Sequence, residues 1–491
     1  MTKEELQAMV QDKFNEHPFI VVSNREPYIH RWVGEEARCF RPAGGLATAL
    51  DPVMQACGGT WVAHGSGDAD PDVVDEQGRI SVPPEAPRYT LKRVWLSKNE
   101  QAGYYDGFSN QALWPLCHNV YVKPIFRQTD WGAYREVNGR FADAVCSEIG
   151  NKGAFVFIQD YHLALLAKMI KERCPDVITA QFWHIPWPNH EAFRICPWQE
   201  EILDGLLAND LIGFHTLYYC KNFLETVDRT LECTIKWKKQ TIIRGAHSTW
   251  VQAFPISVDF TEISARAGRE EVASEVERLR HDYDLRQEFI GIGIDRVDYT
   301  KGIVERFKAI DSFLSKNPGY ERRFTFLQAG EPSRTHVEQY DQLNEEIDEL
   351  VEDINGRRRK RGWKPIIYIK EHFNPFALSG LQRLATFCMV SSLHDGMNLV
   401  AKEFVSARVD GDGVLILSRF TGAARELTDA LLVNPYSIDD LAEAINVAVT
   451  MSQSERRRRM SSMRAIVEES NIYLWASRVI SEIARFRFAR D

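Results

Sequence analysis

Apolar residues in this chain cluster in short unbroken runs, separated by longer stretches with helical spacing. Runs of that kind at Phe19–Ser23, Phe155–Gln159, Ile178–His184, Leu211–His215, Phe289–Ile294, Phe324–Gln328, Ile366–Lys370, Phe387–Ser391 and Val414–Ser418 predict β-strands. They are apolar throughout rather than alternating, as in strands buried on both faces. Helix-like segments such as Leu163–Arg173, Pro197–Ala208 and Gln339–Glu352 lie between several of them. Strands alternating with helices predict parallel sheets covered on both sides, an α/β class.

The chain has 491 residues, too many for one ordinary core, so two large domains are expected. A boundary is expected near Pro255–Phe260, where a polar helical segment, Glu262–Asp284, leads into the next buried strand. This gives two Rossmann-like halves, roughly 1–257 and 258–470. Ligands of such sheets bind beyond the carboxyl ends of the strands, so two facing halves would form a cleft taking one substrate from each side. The basic runs Arg357–Arg361 and Arg456–Arg459 read as solvated surface.

Apolar content of 44% and charged content of 26% are ordinary for a globular protein. Sixty Lys and Arg against 69 Asp and Glu leave a net charge of −9, which argues against bulk nucleic-acid binding. An anionic ligand must then be held by a few placed cations. The nine cysteines are scattered, with no CxxC pair, so a reduced, cytoplasmic protein without a structural zinc site is expected. The N-terminal segment is mixed in charge and lacks the apolar stretch of a signal peptide. No apolar run nears 18 residues, so no membrane span is expected.

Chemistry concentrates at predicted strand ends. His394-Asp395-Gly396-Met397-Asn398-Leu399-Val400-Ala401-Lys402-Glu403 follows the run Phe387–Val390 and opens a helix. Bare amides and a helix dipole there can face a phosphate. Asp395 can accept a sugar hydroxyl, and Glu403 can reach a ribose diol. At the end of another strand, Arg296 and Lys301 lie five apart across a turn, two cations able to clamp a diphosphate. Asp295 and Asp298 are spaced for a turn rather than for a phosphatase nucleophile pair. In the first half Asp160, in Asp160-Tyr161-His162-Leu163, and His184, in His184-Ile185-Pro186-Trp187-Pro188, end successive strands. Arg25 ends the first strand and Arg334 follows Gly330, so each could hold a further phosphate. Gly44-Gly45 permits close approach of backbone to ligand. Trp114, among turn formers, is open between core and sugar platform. Asp68-Ala69-Asp70 lacks the strand that a metal-binding Asp-x-Asp requires, so no metal site is expected. There is no Walker loop, HExxH or GxSxG.

Taken in order, SNR with a following AGGL, YYxxFSNxxLWP, DYHL, HIPxP, RxDYxKG, DGMNLVAKE and the VNPY at 433–436 resemble the trehalose-6-phosphate synthases, the retaining glycosyltransferases of family 20, from about Phe19 to Leu474. The resemblance implies a GT-B fold: two facing Rossmann-like domains with the active site in the cleft between them, the C-terminal helix (471–491) crossing back to the first. It implies glucosyl transfer from UDP-glucose to glucose 6-phosphate, without cofactor or metal. Arg296, Lys301, Asp395 and His184 would carry the chemistry. Gly45, Arg296, Lys301, Asp395, Gly396, Met397, Asn398, Leu399, Val400 and Glu403 would hold the donor. Arg25, Tyr105, Trp114, Asp160 and Arg334 would hold the acceptor. Expected partners are the two small-molecule substrates and a separate trehalose-phosphate phosphatase, with room for a homo-oligomer and none for nucleic acid or membrane.

Three departures touch this resemblance. His64, with one extra residue beside it, stands where the family has the Trp of a GWSG turn. His394 stands where an Arg usually precedes DGMN. Glu26-Pro27-Tyr28 follows SNR, as in the related glucosylglycerol-phosphate synthases. The alternative reading is therefore a glucosylglycerol-phosphate synthase, with glycerol 3-phosphate as acceptor and ADP- or UDP-glucose as donor.

Overall fold

A computed structural model describes residues 1–14, 17–42, 45–150, 153–331, 337–358, 362–371 and 373–486. The chain forms two compact units, Met1–Ile256 with Ile472–Asp491, and Ser257–Asn471.

The first unit is built on a ten-stranded sheet. Its strands are β1 (Phe19–Arg25), β4 (Thr60–His64), β5 (Arg79–Val82), β6 (Tyr89–Val94), β7 (Ala154–Gln159), β8 (Val177–Phe182), β9 (Leu211–Phe214), β10 (Thr234–Lys236), β11 (Thr241–Arg244) and β12 (His247–Ala253). A separate hairpin pairs β2 (Ile29–Val33) with β3 (Glu36–Phe40). The sheet order is β10-β11-β12-β9-β8-β7-β1-β4-β6-β5. From β12 to β6 every pairing is parallel. β7 (AFVFIQ) and β8 (VITAQF) are buried along their whole length, as unbroken apolar runs in a doubly covered sheet should be.

The winding direction reverses between β1 and β7. From β1 the chain steps outward through β4 to β6, and from β7 it steps the other way through β8, β9 and β12. Helices then leave the two central strands in opposite directions and open a crevice beyond their carboxyl ends. The helix Ile472–Ile483 packs into this unit, where Trp475 Nε1 donates to the Phe254 carbonyl at 3.2 Å and the ring meets Phe182 edge-on at 5.3 Å.

The second unit carries an all-parallel six-stranded sheet, ordered β15-β14-β13-β16-β17-β18. Its strands are β13 (Phe289–Arg296), β14 (Phe324–Glu331), β15 (Ile366–Ile369), β16 (Phe387–Val390), β17 (Val414–Ser418) and β18 (Leu431–Val433). Phe307, Ile310 and Phe313 of the helix Ile303–Lys316 fill one face against Phe324, Phe326 and Phe387. Here the winding reverses between β13 and β16.

The strands β2 to β6, β10 to β12 and β18 lie outside the runs marked in the sequence, and two marked segments take another form. The polar stretch 262–284 is two helices, Phe260–Ala267 and Glu270–Asp282, broken at Gly268 and started by the Asp259 carboxylate on the Glu262 amide at 3.0 Å. The aromatic segment at 104–115 is helical rather than turn. It lies in a run from Lys98 to His118, opened by a Ser97/Glu100 capping box and widened over Ala102–Leu113.

Candidate active site

In the second unit the switch point brings together two segments far apart in sequence. β13 ends at Arg296, and a short turn, Tyr299–Lys301, follows it. Asp298 starts that turn, its Oδ1 accepting the Thr300 amide at 3.0 Å and hydroxyl at 2.9 Å. Gly302 then adopts φ +61°, and a Cβ there would lie 2.3 Å from the Ser391 carbonyl oxygen, so only glycine lets the turn press against the end of β16. The Leu393 amide donates to the Thr300 carbonyl at 2.7 Å and closes the two segments on each other.

The result is direct contact between Lys301 and Asp395, Nζ to Oδ2 at 2.6 Å, each side chain 15% exposed. The same Oδ2 accepts Asn398 Nδ2 at 3.2 Å and the Ser392 hydroxyl at 3.3 Å. Asn398 holds φ +78° and caps the helix Leu399–Ala407, its Oδ1 on the Ala401 amide at 3.1 Å. A helix start leaves amides for a ligand, and its dipole favours an anion. Glu403 lies half-buried one turn on, and burial pushes its carboxyl up against the opposing pull of Arg266. Arg296 is half-buried at the strand end, opposite Glu331 in the β13/β14 register.

Beneath this surface lies a residue that the sequence reading missed. Arg306 is fully buried and spans the sheet ends, donating to Asp295 Oδ2 (2.6 Å), Gln328 Oε1 (2.5 Å) and Ser391 Oγ (3.0 Å). Asp295 is thereby a structural partner, and Asp298, bound by Tyr340 at 3.2 Å, is another. An apolar-face spacing hid Arg306: it sits on a helix among core residues, where Arg is rarely placed unless paired.

In the first unit the switch point between β1 and β7 carries Arg25 and Asp160. Arg25 Nη2 donates to the Tyr105 hydroxyl at 2.8 Å, and the Tyr105 ring stacks on His162 at 5.6 Å and 15°. Asp160 follows β7 with φ +71° and ψ 176°, a backbone region almost confined to glycine. It is held there by its own amide on the Phe182 carbonyl (2.7 Å) and by Oδ1 on the His184 amide (3.1 Å). The turn is further fixed by Tyr134, whose hydroxyl donates to the Tyr161 carbonyl (2.6 Å) and accepts the Ala164 amide (3.0 Å), and by Asn138 on the His162 carbonyl (3.1 Å).

His184 Nε2 donates to Gln159 Oε1 at 2.9 Å, which leaves the Nδ1 lone pair as an acceptor. Burial, then His215 and His162 as neighbours, holds this imidazole well below the usual histidine range, so it is neutral. Trp114 is 7% exposed and packs on Tyr161 at 5.9 Å and on His118 at 4.0 Å. Gly45 begins the helix Gly45–Cys57. Arg334 lies outside the described residues.

Asp68-Ala69-Asp70 is explained by another buried cluster. Asp70 accepts the His30 amide (2.7 Å), the Gly67 amide (2.6 Å) and Arg93 Nη2 (2.7 Å), so its carboxylate serves the backbone. His64 is paired with Arg25 in the β1/β4 register and is 8% exposed.

The chain matches glycosyltransferase family 20 over residues 17–485. Trehalose-6-phosphate synthase of Mycolicibacterium vanbaalenii is 36% identical over 474 residues, 95% of this chain and 96% of the relative. The namesake of Mycolicibacterium smegmatis is 36% identical over 475 residues, 95% and 92% of the two chains. A trehalose-6-phosphate structure from E. coli bound with UDP-2-fluoro glucose superposes with TM-score 0.85 at 30% identity, covering 96% of this chain and all of that one (100%). The α,α-trehalose-phosphate synthase (UDP-forming) of Burkholderia xenovorans in complex with glucose 6-phosphate gives 0.85 at 30% identity, over 95% and 99%. The fold is therefore GT-B, and the chain belongs to glycosyltransferase family 20.

Proposed function

We propose that this chain transfers glucose from UDP-glucose to glucose 6-phosphate, giving α,α-trehalose 6-phosphate and UDP. The observation that carries the reading is the Lys301–Asp395–Asn398 constellation at the switch point of the second unit, beside the start of the helix Leu399–Ala407. It joins a cation for the leaving diphosphate to a carboxylate for a sugar hydroxyl. Arg296 at the end of β13 is the second cation, and Glu403 takes the ribose hydroxyls. The solved relatives bound with UDP-2-fluoro glucose and with glucose 6-phosphate support both substrates.

The transfer proceeds with retention on one face of the sugar. The bond from the anomeric carbon to the UDP oxygen breaks through an oxocarbenium-like state. The acceptor's anomeric hydroxyl attacks from the same side and gives its proton to the departing phosphate. Double displacement would need a carboxylate pair about 5–5.5 Å apart across the anomeric carbon. Asp395 and Asp160 are the candidates by position, but the resemblance gives both binding roles, and Asp395 Oδ2 already carries Lys301, Asn398 and Ser392. Charge developing on UDP is met by Arg296 and Lys301, so the step is assigned no metal. On the first unit, Arg25 and Tyr105 hold the acceptor phosphate, Asp160 orients the sugar, and His184 Nδ1 accepts a donor hydroxyl. Scattered free cysteines suit a reducing, cytosolic setting, and a separate phosphatase would consume the product.

One observation favours a second acceptor, glycerol 3-phosphate. His64, beside Arg25, replaces the aromatic that the resemblance implies, and Glu26 follows Arg25. Incubation of each acceptor with UDP-glucose and ADP-glucose, with the phosphorylated product identified by mass and NMR, decides between them. Trehalose 6-phosphate from UDP-glucose is expected. A product from glycerol 3-phosphate alone would overturn the main reading.

A further inference from the structure

Behind the candidate acceptor residues lies a closed ionic cluster that the transfer chemistry does not use. Arg93, on β6, is fully buried at its side chain, as are Glu26 and Asp70 to within 1%. Its Nε donates to Glu26 Oε2 at 2.8 Å, and its Nη2 to Asp70 Oδ1 at 2.7 Å and to His30 Nδ1 at 2.8 Å. Glu26 Oε1 accepts the Ser66 amide at 2.7 Å and the Ser66 hydroxyl at 3.1 Å. Asp70 Oδ2 accepts the next amide, Gly67, at 2.6 Å. Two buried carboxylates thus hold successive amides of the turn His64-Gly65-Ser66-Gly67. A Cβ at Gly67 would lie 2.1 Å from the His30 carbonyl oxygen, so the turn is also wedged against β2.

The cluster sits at one place in the sheet. Glu26 directly follows Arg25, and Arg25 is the register partner of His64. His64 Nδ1 is tied to the Val94 carbonyl at 3.1 Å, a bond the neutral ring makes as donor, which leaves Nε2 as an acceptor. The two departures from the family pattern, Glu26 and the His64 turn, are therefore one physical unit.

We infer that Glu26 is a positioning residue for the phosphorylated acceptor, clamping the His64–Gly67 turn to the end of β1 so that His64 and Arg25 stand side by side. The inference rests on the functional reading above.

Burial and then Asp70 push the Glu26 carboxyl up to about 8, against the opposing pull of Arg93 and the Ser66 amide. Both of those groups donate to Glu26, so the hydrogen bonds that hold the turn persist and strengthen when the carboxyl ionises, and the clamp is a matter of geometry in either state.

The test is the split between acceptor KM and donor KM in Glu26→Ala, with Glu26→Gln as the conservative control, all at one pH. Glu26→Ala removes the acceptor of the Ser66 amide and hydroxyl, so acceptor KM should rise about tenfold while donor KM stays within about twofold. Glu26→Gln keeps an oxygen for the Ser66 amide and should recover most of that loss. An acceptor KM within about twofold of wild type in Glu26→Ala overturns the inference, as does an equal rise in both KM values. If Glu26→Ala fails to fold, Ser66→Ala decides: it removes only the hydroxyl bond to Glu26, acceptor KM should rise about two- to fivefold with donor KM level, and an unchanged acceptor KM overturns the inference. Wild-type enzyme that releases no UDP with either acceptor defeats the functional reading and this inference with it. Turnover with unchanged acceptor KM in the variants defeats the role of Glu26 alone.

Discussion

Replacing Lys301 by alanine separates the cation from the geometry that it sits in. Lys301 Nζ lies 2.6 Å from Asp395 Oδ2, but Asp395 does not depend on it for orientation. The same oxygen keeps Asn398 Nδ2 at 3.2 Å and the Ser392 hydroxyl at 3.3 Å, and the Asp395 amide stays on the Phe420 carbonyl at 3.1 Å. The carboxylate therefore remains placed in Lys301→Ala, and what disappears is one charge proposed to meet the leaving group. A preorganised group that meets charge developing in the transition state contributes about 3–4 kcal/mol. At about 1.36 kcal/mol per decade, kcat should fall roughly 10²- to 10³-fold. The stability cost should be smaller, about 1–2 kcal/mol for one charge-assisted hydrogen bond in a partly exposed pair. The assay is UDP release at saturating UDP-glucose and glucose 6-phosphate, well below the melting transition, with the melting temperature measured in parallel. A kcat within about threefold of wild type would refute electrostatic stabilisation by Lys301. A collapse of the melting temperature matching the kcat loss would refute the separation of charge from scaffold.

Arg306→Ala should act in the opposite way. It strands the Asp295 carboxylate at the sheet end, and loss of one partner of a buried pair costs about 3–5 kcal/mol, readable as a lower urea midpoint for the second unit; a shift worth less than about 1 kcal/mol would contradict it. Tyr134→Phe removes the hydroxyl that serves both the Tyr161 carbonyl and the Ala164 amide, so stability should fall by about 1–3 kcal/mol and acceptor KM should rise more than donor KM. The lowered pKa of His184 gives a signed pH effect. The folded state keeps the ring neutral while the unfolded chain binds a proton below pH ~6.5, so its contribution is intact above that value and declines as pH falls. His184→Asn should therefore show a shallower loss of stability between pH ~6.5 and ~5 than wild type in urea titrations, and equal slopes would exclude the assignment.

The buried strands were legible because parallel strands covered on both faces must be apolar at every position, as β7, β8 and β17 are. β4, β6 and the hairpin β10–β11 were not. β6 reads Tyr-Thr-Leu-Lys-Arg-Val, and its charged residues look solvated until Arg93 proves to be the centre of an ion cluster. Strand ends carried the site signal: Arg25, Asp160, Arg296 and Lys301 all lie at or just past carboxyl ends next to a switch point. What no local pattern could show was which distant group each would meet. Lys301 and Asp395 are 94 positions apart, and Glu26 and Arg93 are 67 apart, so their pairing depends on strand order.

Both units place a buried arginine under the strand that borders the switch point. In the second, Arg306 holds Asp295 near the end of β13. In the first, Arg93 holds Glu26 just past the end of β1. A buried charge is a poor way to gain stability, since a packed apolar group of similar volume often does as well. What it can supply is direction, because a guanidinium fork fixes several acceptors at set angles. Arg306 joins β13, β14 and the end of β16 through Asp295, Gln328 and Ser391, and Arg93 joins the segments after β1 and β4 to β2 through Glu26, Asp70 and His30. In each case the side chains offered to a ligand, Lys301 in one unit and Arg25 in the other, stand on backbone fixed from below. The two clusters differ in charge balance: Arg306 faces one carboxylate, whereas Arg93 faces two. Burial, together with that crowding, pushes the Glu26 carboxyl upward, and the fork of Arg93 sets two acids at the angles from which they hold successive amides of one turn.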